Sequence, residues 1–149
     1  MTSSFFTQIG NDIDGEALGD QSGWSVSLSA DGSVVAISAP YNGGNGINSG
    51  HVRIYQNIDG TWTQVGSDID GEAAGDYSGR SVSLSADGSV VAIGAAWNSI
   101  SGFSREGQVR LYQIDLDTTT QLTELQALTY IASNPVSYTH LTLPTILLV

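Results

Sequence analysis

The sequence has no cysteine, no lysine and only four arginines in 149 residues, and these absences exclude several classes of protein. Without cysteine there is no disulfide and no thiolate metal site. The 15 acidic residues outnumber the four arginines and give a net charge of −11. We therefore expect no nucleic-acid partner, because the chain has few cations to neutralise phosphates. No run of 18 apolar residues occurs, so we predict no membrane insertion, and no signal peptide is visible after Met1.

What the sequence does contain is a repeat with a period of 56 residues. Residues 10–39 and 66–95 are identical at 25 of 30 positions. After one inserted residue the match resumes, with residues 51–56 aligning to residues 108–113. A period in this range is typical of stacked or circular arrays of a small structural unit.

The residue pattern of each unit predicts four short strands. In the first copy these cover residues 25–29, 34–39, 51–56 and 62–66. Serine alternates with Val26 and Leu28 in the first strand, and Asp31-Gly32 predicts a tight hairpin. The second strand is apolar on both faces, so we expect it to be buried on both sides. We therefore predict an all-β fold of β-propeller blades, four-stranded antiparallel sheets in an incomplete propeller. A β-solenoid is the alternative.

Residues 22–29, 31–32, 35–40 and 50–55 together resemble the FG-GAP repeat, the blade motif of integrin α-chain-like propellers. The second copy carries the same motif in residues 78–79, 91–95 and 107–112, and the resemblance covers about residues 5–125. Ser22 and Ser78 stand where the family's Phe-Gly pair has phenylalanine. The resemblance implies a seven-bladed propeller that serves adhesion and ligand binding in secreted or cell-surface proteins, and hence an extracellular or cell-surface location.

Eight of the 15 acidic residues lie in two copies of one loop and are the candidate calcium ligands: Asp12, Asp14, Glu16, Asp20, Asp68, Asp70, Glu72 and Asp76. The spacing does not fit an EF-hand, because both end ligands are missing. The interpretation we favour is a solvated turn between blades. Many family members hold calcium in an Asp-rich hairpin, but residues 30–32 and 86–88 offer too few oxygens for it. We predict no cofactor, with calcium as the one candidate.

Nothing in the sequence has the pattern of a catalytic centre, so we predict that the chain is not an enzyme. No phosphate-binding loop, zinc-protease motif or nucleophile elbow occurs. His51 has Gln108 as its counterpart in the second repeat, which favours a strand side chain over a catalyst.

The positions that differ between the copies point to a binding surface. Varied loops on a repeated scaffold are where repeat proteins usually bind their partners. On this basis the candidate ligand-binding residues are Trp24, Tyr41, Tyr77, Arg80 and Trp97. Neutral drift in exposed loops is the alternative. The ligand we expect is a protein or a glycan.

The repeat boundaries divide the chain into five segments. Residues 1–10 are expected to hold the last strand of a preceding blade, at residues 5–10, followed by blades at residues 11–66 and 67–125. Residues 120–122 align with the fourth strand of the first repeat, and residues 126–135 are a degenerate continuation. Residues 136–145 resemble a translated sequencing adapter over ten consecutive positions, so we assign residues 136–149, including His140, to a non-native tail. A genuine C-terminal strand is the alternative.

Together these features predict a non-catalytic binding or adhesion module of a larger protein whose remaining blades are missing here. Two alternatives stay open. The chain could belong to a propeller enzyme whose catalytic residues lie in the missing blades, or to a propeller that only scaffolds other domains.

Overall fold

A computed structural model of the chain describes residues 4–99 and 105–116. The chain divides into two units, Met1–Asp115 and Leu116–Val149, and nearly all of the described residues belong to the first. The expected strand at residues 120–122, the degenerate segment 126–135 and the tail at 136–149 lie outside the described residues. Within the described residues there is no helix, and hence none that could cross a membrane.

The first repeat folds into an antiparallel sheet whose strands follow chain order. These are β1 (Val26–Leu28), β2 (Val34–Ala39), β3 (His51–Ile58) and β4 (Thr61–Gln64). The four-stranded blade is confirmed, with strand bounds within three residues of those predicted. A short fifth strand, β5 (Ile69–Asp70), pairs with the start of β3.

The second repeat forms the same sheet again as far as the described residues extend. Its strands are β6 (Ser81–Leu84), β7 (Val90–Ala95) and β8 (Gln108–Gln113), in the order β6-β7-β8 and antiparallel. The register repeats too, because Val35 pairs with Tyr55 in one sheet and Val91 with Tyr112 in the other. The prediction of an all-β fold built from propeller blades is therefore confirmed.

Two local expectations differ from the structure. The strand predicted at residues 5–10 is absent, since that segment is irregular and Phe5 and Phe6 are almost fully exposed. The physical reason is that no strand among the described residues lies beside it to pair with its backbone. The second difference is β5, which comes from the segment assigned to the second repeat but extends the first sheet.

All six residues of β2 are buried, as expected for a strand that is apolar on both faces. On one face Val35 and Ile37 pack with Tyr55, Ile13 and Trp62 of the same blade. The opposite face carries Val34, Ala36 and Ser38, which are fully buried, and it meets the second blade.

Small side chains bring the backbone of the second blade against the first. The hydroxyl oxygens of Ser25 and Ser27 accept hydrogen bonds from the backbone N–H groups of Val82 (3.3 Å) and Leu84 (2.9 Å). Gly79 lies so close to this sheet that an added Cβ would stand 2.7 Å from the Cβ of Ser38. Ser25, just before β1, and Ser27 within it therefore serve the contact between blades, because they are small and also satisfy two edge donors of β6.

In the first blade this face of the sheet is covered by the second blade. The equivalent face of the second blade is exposed. Val52 and Ile54 of β3 are 0% and 3% exposed, whereas the matching Val109 and Leu111 of β8 are 65% and 68% exposed. A cleft of about 530 Å³ lies on this open face and is lined in part by Gly94. In the first blade the matching position, Ser38, is covered by Gly79 of the second blade.

This contrast gives a test with a matched pair of variants. We expect V52T to lower the free energy of unfolding by about 1–3 kcal/mol, because a hydroxyl is buried without a partner. V109T makes the same chemical change at the equivalent exposed position and should stay within about 0.5 kcal/mol of the unmodified chain. Urea unfolding followed by tryptophan fluorescence measures both. Equal effects would contradict the arrangement of the two blades.

Candidate functional site

The five candidate ligand-binding residues form one continuous row across the two blades. The ring centroids of Trp24 and Tyr41 are 5.8 Å apart, those of Tyr41 and Tyr77 5.3 Å, and those of Tyr77 and Trp97 4.9 Å, all in edge-to-face geometry. The guanidinium of Arg80 lies 5.3 Å from the ring centroid of Trp24 and 5.0 Å from that of Trp97. We call these five residues the aromatic row.

The strand order explains why these residues meet. Trp24 precedes β1 and Tyr41 follows β2, and because the two strands are antiparallel both residues lie at the same end of the first sheet. Arg80 and Trp97 hold the corresponding places before β6 and after β7. Contact between the blades then brings the two sheet ends side by side.

Tyr77, near the middle of the row, has an unusual backbone conformation. Its φ is 51°, in the left-handed region that side chains other than glycine seldom adopt, and Gln21 at the same point of the first repeat has φ 54°. The backbone N–H of Tyr77 donates to the carbonyl of Asn48, and the side-chain amide of Asn48 donates to the tyrosine hydroxyl (3.2 Å). The turn is thus a property of the repeat, and the tyrosine ring is what the second copy adds to it.

The row is open to solvent and carries positive charge. Trp24 is 46% exposed and Trp97 36%. Arg105, which was not among the candidates, also lies over the Trp97 ring, 4.4 Å from its centroid. Its place in the same variable loop as Trp97 was the signal that could have identified it. Neither Arg80 nor Arg105 forms an ion pair with any residue that the structure describes.

The other two arginines have a structural use that is the same in both blades. Arg53 Nη2 donates to the carbonyl oxygen of Asp14 at 2.7 Å, and Arg110 Nη2 donates to that of Asp70 at 2.7 Å. Each of these arginines thereby fastens an acidic loop to the third strand of its blade. Half of the protein's arginines are therefore committed to the scaffold, and the other half belong to the row or to its edge.

Most of the candidate calcium ligands are engaged within the protein. Asp20 and Asp76 are buried, and their carboxylates accept hydrogen bonds from the amides of Asn42 and Asn98, each at 2.8 Å. Each pair ties an acidic loop to the loop that follows the second strand of the blade, so both carboxylates have structural roles.

Exposed acidic residues of these loops also have hydrogen-bond partners within the protein. Asp12 accepts a hydrogen bond from the Gln8 amide (2.8 Å), and Glu72 accepts one from the Gln108 amide (3.0 Å). Of the eight carboxylates, two that come from different loops, Glu16 and Asp68, meet a histidine. They approach Nδ1 of His51, and these three residues are the metal-compatible cluster among the described residues.

The Asp-Gly hairpins close on their own side chains. Oδ1 of Asp31 accepts hydrogen bonds from the hydroxyls of Ser29 (2.8 Å) and Ser33 (2.7 Å) and from the Ser33 backbone N–H (3.0 Å). Gly32 completes the turn with φ 73°. Asp87 repeats this pattern with Ser85 and Ser89, so each hairpin carboxylate serves as the acceptor for the turn.

Comparison with known families supports the resemblance seen in the sequence. The family model of the FG-GAP repeat matches residues 12–55. The matched segment runs from the first acidic loop through β1 and β2 to Tyr55 in β3, and the same pattern recurs 56 residues later. A search among curated proteins finds no match to the chain.

The hairpin geometry predicts an acid titration. Hydrogen bonds from the Ser89 hydroxyl and backbone N–H, and then from the Ser85 hydroxyl, lower the pKa of Asp87 from 3.8 to about 2. Because the folded pKa is the lower one, the hairpin's contribution to stability is complete above about pH 3.8 and is lost as the pH falls toward 2. Removing the largest cause, in S89A, should raise the pKa of Asp87 toward 3.8.

Carboxyl-carbon NMR titration measures this shift directly. S33A is the matched control, since it removes the same hydroxyl from the Asp31 hairpin and should leave Asp87 unchanged. A pKa of Asp87 that is the same in S89A and the unmodified chain would refute this account of the turn.

Proposed function

Since the chain carries an FG-GAP repeat, a propeller-type module, we propose that it is a non-catalytic binding or adhesion module of a larger secreted or cell-surface protein. The proposed ligand surface is the aromatic row. The family resemblance supports the general role, and the geometry of the row supports the choice of surface.

The observation that carries this proposal is the composition of the row. Tryptophan, tyrosine and arginine are the residues most enriched among those that dominate binding energy at protein interfaces. Here all three residue types lie in contact at the ends of the two sheets, with both indole rings part-exposed. Edge-to-face contacts, each worth about 0.5–1.5 kcal/mol, hold the rings in place before any ligand arrives.

The charge of the row narrows the chemistry of the ligand. Arg80 has its cation between two indole rings and no carboxylate partner among the described residues. The chain as a whole carries −11, so its acidic loops would repel a uniformly anionic ligand. We propose a protein segment or a glycan that offers a ring or an apolar face next to a single acidic group.

The test uses variants that the repeat itself supplies. Y77Q replaces the tyrosine with the residue that the first repeat carries in the same backbone conformation, so the turn should be retained while the ring is lost. W24A removes one end of the row. L18A, at a fully exposed position in an acidic loop, removes apolar surface outside the row and is the control.

Binding is measured for the full chain on an array of neutral, sialylated and sulfated glycans and on an array of extracellular proteins. We expect Y77Q and W24A each to weaken binding at least about tenfold, equivalent to about 1.4 kcal/mol, while L18A binds normally. Equal binding by Y77Q, W24A and the unmodified chain would move recognition away from the row and overturn the proposal.

A further inference from the structure

The His51 imidazole is buried, and one of its nitrogens has no hydrogen-bond partner. The side chain is 1% exposed, and Nδ1 is an unsatisfied buried atom. Its nearest acidic atoms are Asp68 Oδ2 at 3.6 Å and Glu16 Oε2 at 3.8 Å. These distances are too long for hydrogen bonds, so Nδ1 points into a gap between two carboxylates.

The fold holds this gap open from three directions. His51 is the first residue of β3, and β5 pairs with that end of the strand, which places Asp68 beside the imidazole. The Gln64 amide donates to Oδ1 of Asp68 (2.7 Å), which leaves Oδ2 turned toward His51. Glu16 reaches the same point from the acidic loop before β1.

The second repeat shows what the same position does without histidine. Gln108 replaces His51, and its Nε2 donates directly to Oε2 of Glu72, the counterpart of Glu16, at 3.0 Å. The amide therefore has a hydrogen-bond partner in the acidic loop, at a position that is only part-buried. Among the described residues, an unpartnered ring nitrogen facing two carboxylates occurs in the first blade, where histidine replaces glutamine.

We propose that Nδ1 of His51, Oε2 of Glu16 and Oδ2 of Asp68 bind a divalent transition metal of the zinc class. Neutral imidazole and carboxylate oxygens are ligands that such ions accept. Metal–ligand bonds of about 2.1 Å in a tetrahedron separate the ligand atoms by about 3.4 Å. The two distances from Nδ1 are close to that separation and need little adjustment.

The surroundings favour a partly open site. Glu16 is 44% exposed and Asp68 28%, which gives the ion a path from solvent and leaves room for water as a further ligand. A cation would offset two carboxylates and satisfy the buried nitrogen in one step. Calcium fits poorly, since it takes six to eight oxygen ligands and this cluster supplies a nitrogen. The Arg53 guanidinium, on the same face of β3, is directed to the Asp14 carbonyl and the Ser22 hydroxyl.

The experiment is calorimetric titration of zinc chloride into the metal-free full chain, repeated with cobalt(II) while its visible absorption is recorded. We expect one zinc per chain and a cobalt spectrum typical of nitrogen and oxygen ligands. H51Q reproduces the arrangement of the second repeat and should weaken binding at least about tenfold. E16Q should weaken it as well, whereas D12N, which removes a charge from the same loop, should not.

Each outcome decides the question independently of the proposed ligand surface. No heat and no cobalt absorption at millimolar metal would overturn the site. Equal zinc binding by H51Q, or loss of binding in D12N as large as in E16Q, would show that the acidic loops bind cations unspecifically. Tryptophan fluorescence and far-ultraviolet circular dichroism confirm that each variant is folded, and H51Q and E16Q provide two separate routes to the same conclusion.

Discussion

The close approach of one blade's backbone to the sheet of the next is the contact on which the structure depends. It requires small residues on both sides, because the hydroxyls of Ser25 and Ser27 must reach the backbone N–H groups of β6. Gly79 leaves no room for a side chain against Ser38. This contact buries the second face of β2, and a blade without it leaves its apolar positions exposed, as Val109 shows.

The two proposed sites depend on the fold at different levels. The aromatic row needs two blades, since Trp24 and Tyr41 come from one sheet end and Tyr77, Arg80 and Trp97 from the next. The cluster around His51 is built on one blade, from the acidic loops that precede and follow it. The row would be disrupted by any change that separates the blades, whereas the cluster depends on the pairing of β5 with β3.

Much of the fold was predictable because the same local patterns occur in both repeats. The hairpin at Asp31-Gly32, the buried β2 and the small residues of β1 all follow from local patterns that recur 56 residues later. The strand expected at residues 5–10 does not form in this chain, because a strand needs a partner and the pattern of one segment does not supply it. β5 was missed for the opposite reason: two residues are too short for a periodic signal, and their pairing is decided by the edge of β3.

The site residues fall into two groups, those that are the same in both repeats and those that differ. Residues kept in both copies, such as the Arg53–Arg110 pair, have structural hydrogen bonds that are the same in each blade. Among the residues that differ, the cation of Arg80 has no carboxylate partner among the described residues and Nδ1 of His51 has no hydrogen-bond partner, although Nε of the shared Arg53 is unsatisfied as well. In the sequence, the presence of Gln108 at the position equivalent to His51 favoured the interpretation of His51 as a strand side chain without catalytic function. In the structure the two positions differ, because Gln108 donates a hydrogen bond to Glu72 whereas Nδ1 of His51 has no partner. In a protein built from copies, the scaffold is what the copies share, and ligand chemistry is to be sought where one copy departs from the other.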